Sequence, residues 1–232
     1  ITARPPLTAT PLDYATPGLT ANDTLDGAGG LDTLVGGLGD DTYIIADTTD
    51  FAIDRVVEAA GQGRDTILAS RNVNLATLEN ATGQAIEVEV VQVMRTTATQ
   101  VIGNGTLNQT LIGNIGDDDL RAGGVNSVLM GGGGNDTYFI DADDTVVENA
   151  GAGVDTVFFN QASGGGIHTL GADIENLSAN SASTTARAIL TGNALDNIIS
   201  GLNANDTLDG AGGLDTLVGG LGDDTYIIAD TT

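Results

Sequence analysis

The sequence has no cysteine, no lysine and only one histidine in 232 residues. The absence of cysteine removes disulfide frameworks, thiolate metal sites and thiol nucleophiles together. A chain of this kind working outside a cell needs another source of rigidity. A lone histidine, His168, cannot supply an HExxH zinc-protease motif, and it is expected in a loop or on the surface. Positive charge is scarce as well: seven arginines stand against 32 acidic residues, for a formal charge of −25. Nucleic acid and anionic membrane are excluded as partners, because the long-range electrostatic term is repulsive. No unbroken apolar run is long enough to cross a bilayer, and the first twenty residues lack the basic start and apolar core of a signal peptide. No transmembrane segment is therefore expected, and export would use a removed signal or another route.

What is present is apolar residue enough for a core, 41% of the chain, together with a charge that opposes compaction by self-repulsion. Cations are the natural counterpart, and hard divalent ions suit carboxylate and carbonyl oxygen. The sequence is also periodic on three scales. At an offset of 183, Ala21 to Thr49 matches Ala204 to Thr232 in 29 consecutive identities, and residues 1–20 match 184–203 more weakly, with nine. A diverged half-period is marked by "DDTYIIAD" (40–47), "NDTYFIDA" (135–142) and "DDTYIIAD" (223–230). Each of the first two is followed by a related passage, "DRVVEAAGQGRDTIL" (54–68) and "DTVVENAGAGVDTVF" (144–158). The first carries about five extra residues around Asp47 to Asp54, the kind of insertion that sits in a loop at the edge of a repeat.

The shortest period is nine. It reads GLTANDTLD, GAGGLDTLV and GGLGDDTYI from 18 to 44, then NGTLNQTLI, GNIGDDDLR, AGGVNSVLM and GGGGNDTYF from 104 to 139. GNALDNIIS, GLNANDTLD, GAGGLDTLV and GGLGDDTYI follow from 192 to 227. These tandem nonapeptides resemble the repeats-in-toxin (RTX) family, also called hemolysin-type calcium-binding repeats. The passages between them resemble the degenerate linking segments of long family members. The resemblance implies an all-β, right-handed parallel β-roll or β-helix solenoid with calcium-binding nonapeptide turns. It implies five segments: nonapeptide blocks at 1–44, 104–139 and 192–232, and degenerate β-solenoid linking segments at 45–103 and 140–191.

Nine residues suffice for a turn of six and a strand of three, with the large residue at position eight facing inward. Calcium takes about six to eight oxygens, more than one turn offers, so a full site needs two stacked turns. Turns on the same side are eighteen residues apart, and the position-six aspartates do recur at that spacing: Asp23 with Asp41, Asp118 with Asp136, Asp206 with Asp224. This predicts one calcium site per block, all on one face of the solenoid. The opposite side looks eroded, since Asp32 follows Tyr14, Ser127 follows Gln109 and Asp215 follows Asn197 at the same interval. Weak or empty half-sites are expected at Asp32 and Asp215, with Asn197 able to offer an amide oxygen to the latter. Two further ligands come from "GQGRDT" and "GAGVDT". Asp155 lies nineteen residues after Asp136 and is paired here with Glu148, and Asp65 lies twenty-four after Asp41, which fits if the inserted loop bulges out. "IEVEVVQVM" (86–94) reads as a half-buried wall strand with Glu87, Glu89 and Gln92 on the solvated side.

No catalytic constellation is present. The resemblance implies a calcium-binding structural repeat that folds on binding several Ca2+ ions, outside the cell or on the bacterial cell surface after type I secretion, as a segment of an adhesin, surface layer, filament or matrix protein. Copies of the chain arrayed end to end would be its partners. The alternative is the calcium-dependent folding and secretion module of an enzyme such as a protease or lipase.

Overall fold

A computed structural model describes residues 20–28, 31–46, 54–78, 86–105, 108–160, 165–180 and 186–228, with the backbone of 7–8 and 15–17. Tyr14 and most of the inserted loop, 47–53, lie outside the described residues. Every regular element described is a strand, and every strand pair is parallel. Successive strands alternate between two faces.

One face is an eight-stranded sheet: Leu7–Thr8, Thr24–Asp26, Thr42–Ile45, Thr66–Ala69, Val90–Val93, Thr110–Ile112, Val128–Met130 and Thr145–Val146. Four more strands follow on that side, Gly166–Thr169, Ala188–Thr191, Thr207–Asp209 and Thr225–Ile227. The other face opens with Ala15–Pro17, Thr33–Val35 and Arg55–Val57. It continues as Val73–Asn74, Gln100–Ile102, Asp119–Arg121, Thr137–Ile140, Thr156–Asn160, Asn176–Asn180, Ile198–Asn203 and Thr216–Leu221. The chain is a parallel β-solenoid, as the nonapeptide period implies.

The period fixes the pattern. In each three-residue strand the middle side chain is buried and its neighbours are half-exposed. The buried rows stack in register, as in Leu25, Tyr43, Ile67, Val91, Leu111 and Leu129 on one face and Leu120, Tyr138, Val157 and Leu177 on the other. Each of these contributes about 1.5–3 kcal/mol of apolar burial, which makes a core one side chain thick sufficient between two sheets. Tyr226 is the exception among the position-eight residues, 46% exposed because its strand has a partner on one side only among the described residues.

His168 departs from expectation. It lies in the strand Gly166–Thr169, in register with the inward Leu190 and Leu208. Its ring stacks on Phe159 at 5.1 Å between centroids, and burial lowers its pKa. Along 86–94 burial alternates as expected, except that Val90 and Val91 are both buried where the strand begins.

Candidate metal centre

Two columns of side chains run along the solenoid, each formed by the residue just before a strand. On one edge the rungs are Asp23, Asp41, Asp65, Glu89, Gln109, Ser127 and Asp144. On the other they are Asp32, Asp54, Asn72, Thr99, Asp118, Asp136, Asp155, Glu175, Asn197 and Asp215. Asp206 and Asp224 precede strands on the first side.

Each acidic rung accepts a hydrogen bond from the backbone N–H of the rung one coil earlier. Asp41 takes it from Asp23 at 2.7 Å, Asp65 from Asp41 at 2.8 Å and Glu89 from Asp65 at 2.7 Å. Asp136 takes it from Asp118 at 2.7 Å, Asp155 from Asp136 at 2.8 Å, Glu175 from Asp155 at 2.7 Å and Asp224 from Asp206 at 2.9 Å. The eighteen-residue pairs are therefore neighbours in space. They do not share one face: Asp118 and Asp136 precede strands of the opposite sheet from Asp23, Asp41, Asp206 and Asp224. Among the described strands, Thr137–Ile140 is the ninth after Thr42–Ile45, an odd number of steps, so the chain changes edge between them.

A second ladder runs the other way. The position-five side chain accepts from the N–H of the following coil: Asn22 from Asp40, Asp40 from Arg64, Asp117 from Asn135, Asn135 from Val154, and Asn205 from Asp223, at 2.7–3.0 Å. The recurring Asn/Asp at position five is its sequence signal. Two opposed ladders clamp these turns and leave Oδ2 of Asp41, Asp136 and Asp206 for another purpose.

That oxygen converges with others at two places. Asp41, Glu58 and Asp65 bring carboxylate oxygens within 4.8 Å of one another, and so do Asp136, Glu148 and Asp155. Asp41, Asp65, Asp136 and Asp155 are each 1% exposed, and Oδ2 of Asp41, Asp136 and Asp155 accepts no hydrogen bond among the described residues. Buried carboxylates without partners are costly, so these atoms are donors in search of a cation. Tyr43 and Tyr138 donate their hydroxyls to Glu58 and Glu148. A Cβ on Gly36 or Gly131 would overlap that hydroxyl and the Asp41 or Asp136 Oδ2, so the first glycine of the repeat makes the cradle. In the neighbouring passage, a Cβ on Gly63 or Gly153 would strike the carbonyl of Gly39 or Gly134. That close approach lets GQGRD and GAGVD dock on the preceding turn.

With no cation bound, burial raises the pKa of every acid in both centres. Glu58, Asp136 and Glu148 reach about 7 and Asp65 about 6, with like charges adding to the effect. Asp41 and Asp155 rise for the same reason. Three carboxylates this close do not all ionise without compensation. The oxygen-only donor set suits a hard ion such as calcium.

At individual rungs the structure meets expectation in one place and departs from it in others. Asp65 does align with Asp41, since Thr66 pairs with Thr42 despite the longer spacing. Glu58, absent from the expected ligands, occupies the position that Glu148 holds in the shared phrase VVExAGxGxD, which was its signal. Asp32, expected beside an eroded rung, donates its N–H to Asp54 at 2.9 Å, and Ser127 donates to Asp144 at 2.8 Å. Glu89 is half-buried and engaged with Asp65, not simply solvated. Asn197 does not turn a free amide oxygen to Asp215: its oxygen accepts from Asn193 N–H at 2.8 Å, while its backbone N–H meets Asp215 at 2.9 Å. Asp118 has both oxygens hydrogen-bonded, to Thr99 and Asn114. Asp206 keeps Oδ2 without a hydrogen-bond partner among the described residues and is 1% exposed, and Asp224 is half-buried.

The family model for the RTX calcium-binding nonapeptide repeat matches residues 18–43, 110–147 and 191–226. These three stretches are RTX calcium-binding nonapeptide repeats. No curated protein and no solved structure matches the chain. The matched stretches hold Asp23, Asp32, Asp41, Asp118, Asp136, Asp206, Asp215 and Asp224 and extend in the second to Asp144 and the strand Thr145–Val146, whereas Asp54, Glu58, Asp65, Glu148 and Asp155 lie outside them. The RTX domain is a structural calcium-binding repeat, and no helix is long and apolar enough to cross a membrane among the described residues.

The cradle gives a direct prediction. Gly131→Ala should push the Asp136 carboxylate and Tyr138 hydroxyl apart and lower stability by about 1–3 kcal/mol, the usual range for overpacking. Gly212→Ala, whose Cβ meets nothing nearer than 3.7 Å, should stay within about 0.5 kcal/mol. Thermal denaturation in calcium compares the two.

Proposed function

We propose that this chain is an extracellular structural segment that binds several calcium ions and folds on binding them. The observation that carries this reading is the pair of three-carboxylate centres with hydrogen-bond-free buried oxygens. Asp41, Glu58 and Asp65 hold one ion and Asp136, Glu148 and Asp155 another. Asp23, Asp118, Asp206 and Asp224 extend the acidic columns as additional ligands, while Asp32 and Asp215 form weaker positions. A bound cation would supply the positive charge that lets all three carboxylates ionise inside the wall. Blocks 1–44, 104–139 and 192–232 then supply the nonapeptide aspartates, and the linking segments 45–103 and 140–191 supply Glu58, Asp65, Glu148 and Asp155.

A near-identical repeat over 29 residues favours extension over chemistry, so the role we assign is a spacer in an adhesin, surface layer, filament or matrix protein, exported by type I secretion and working at the cell surface. Low calcium inside a cell would keep the chain unfolded for export. Calcium stoichiometry by equilibrium dialysis tests the assignment. Asp136→Ala should bind one ion fewer than the unmodified chain and Ser127→Ala the same number; an unchanged count for Asp136→Ala refutes the centre.

A further inference from the structure

Position six is not always acidic. It is Gln109 in NGTLNQTLI and Asn197 in GNALDNIIS, and both side chains are 1% exposed. At these two rungs the amide meets the preceding coil through its NH2 group. Gln109 Nε2 donates to the Val88 carbonyl at 2.9 Å, while its Oε1 accepts from Asn104 N–H at 2.9 Å. Asn104 Nδ2 donates in turn to the Ile86 carbonyl at 2.6 Å. Asn197 Nδ2 donates to the carbonyls of Ile174 and Glu175 at 3.1 and 3.2 Å. Asn193 Nδ2 donates to those of Gly171 and Ile174, both at 2.7 Å.

The contrast with the acidic rungs is chemical. A carboxylate is an acceptor only: an aspartate rung takes one N–H from the preceding coil through Oδ1, and the second oxygen of Asp41, Asp136 and Asp155, which has no donor among the described residues, calls for a cation. An amide carries its own donors, and its N–H groups satisfy the carbonyls of the neighbouring turn directly. Arg95 adds a fixed cation in the same stretch, with Nε on Thr99 Oγ1 at 2.9 Å and Nη2 on Asn72 Oδ1 at 3.1 Å. Residues 86–88 are thus joined to 104 and 109, and 171–175 to 193 and 197, without metal.

We infer that the solenoid is built of two kinds of coil: amide-clamped coils, described over 86–105 with 108–112 and over 171–180 with 186–199, that hold their structure without calcium, and acid-clamped coils that order against them when calcium binds. The inference rests on the calcium reading above and adds to it where ordering starts. The amide coils present preformed parallel strand edges, Val90–Val93 to the coil carrying Asp65 and Asn176–Asn180 to the coil carrying Asp155. Propagation from a formed repeat to its neighbour is the ordinary mode of a stacked array, and here the metal-free segments are the starting points. Falling calcium would release the acid-clamped coils while the amide-clamped coils stay folded.

Hydrogen exchange of the full chain, followed by mass spectrometry in EGTA and in calcium, tests this. Peptides from 86–112 and 171–199 should keep at least tenfold slower exchange in EGTA than peptides from 31–46 and 131–155, and calcium should slow the latter. Uniform loss of protection in EGTA, regained everywhere in calcium, overturns the two-class inference and leaves calcium-dependent folding standing. Protection indifferent to EGTA everywhere overturns both. A gain-of-site variant supplies the second arm: Asn197→Asp should make 171–199 sensitive to EGTA and raise the calcium count by one, and a variant folded in calcium whose EGTA protection there is unchanged refutes the role of the amide.

Discussion

Chelation with EGTA at neutral pH should remove most of the far-ultraviolet β signal, and excess calcium should restore it. The size of the effect follows from charge and linkage. An ion present at a hundred times its dissociation constant stabilises the folded state by about 2.7 kcal/mol, so two centres contribute about 5 kcal/mol by the same relation. Typical domains have only about 5–15 kcal/mol in total. The chain has no disulfide to fall back on and a charge of −25 to overcome, with three acids inside 4.8 Å at each centre. Burial of the stacked leucines and tyrosines favours the fold equally with and without metal, whereas the electrostatic cost is met only when cations are present. Circular dichroism during a calcium titration gives the test, and a chain whose full β signal survives EGTA would refute calcium-dependent folding.

The fold was legible because the nonapeptide leaves little freedom. Three strand residues with one inward position, repeated on an eighteen-residue coil, determine both parallel pairing and the buried row. Leu25, Leu34, Leu120 and Tyr138 are where the period puts them. The spatial pairing of Asp23 with Asp41 and of Asp118 with Asp136 followed from the same arithmetic. What the arithmetic hid was parity. Linking coils longer than eighteen residues still cost one strand on each face, so residue number alone does not tell on which edge Asp136 falls. Glu58 was overlooked for another reason: it lies outside the nonapeptides, and its one signal is the phrase VVExAGxGxD that it shares with Glu148. Asp54 and Asp144 escaped because they follow Asp32 and Ser127 by 22 and 17 residues. Gln109 and Asn197 look like erosion in sequence, and their role emerges only from which way the amide donates.

Acidification should stabilise the metal-free chain, the reverse of its effect when calcium is present. In the absence of cation, burial holds Glu58, Asp136 and Glu148 at about 7 and Asp65 at about 6, against about 4 for the same groups in an unfolded chain. Between those values the folded state binds more protons than the unfolded one, and stability then falls as pH rises. The contribution is fully present below about pH 4 by these reference values and is lost as pH climbs through 6 and 7. Calcium instead requires the deprotonated carboxylates and releases protons when it binds, so its apparent affinity should increase over the same window. In EGTA the thermal midpoint at pH 5 should exceed that at pH 8, and in titrations the half-saturating calcium concentration should be lower at pH 8 than at pH 5. General relief of self-repulsion acts in the same direction in EGTA, so Glu148→Gln separates the two: it removes one of 32 acids yet should flatten the pH 5 to 8 slope far more than a surface change such as Asp209→Asn. Equal slopes for the two variants would show that overall charge, and not the buried centre, governs the response.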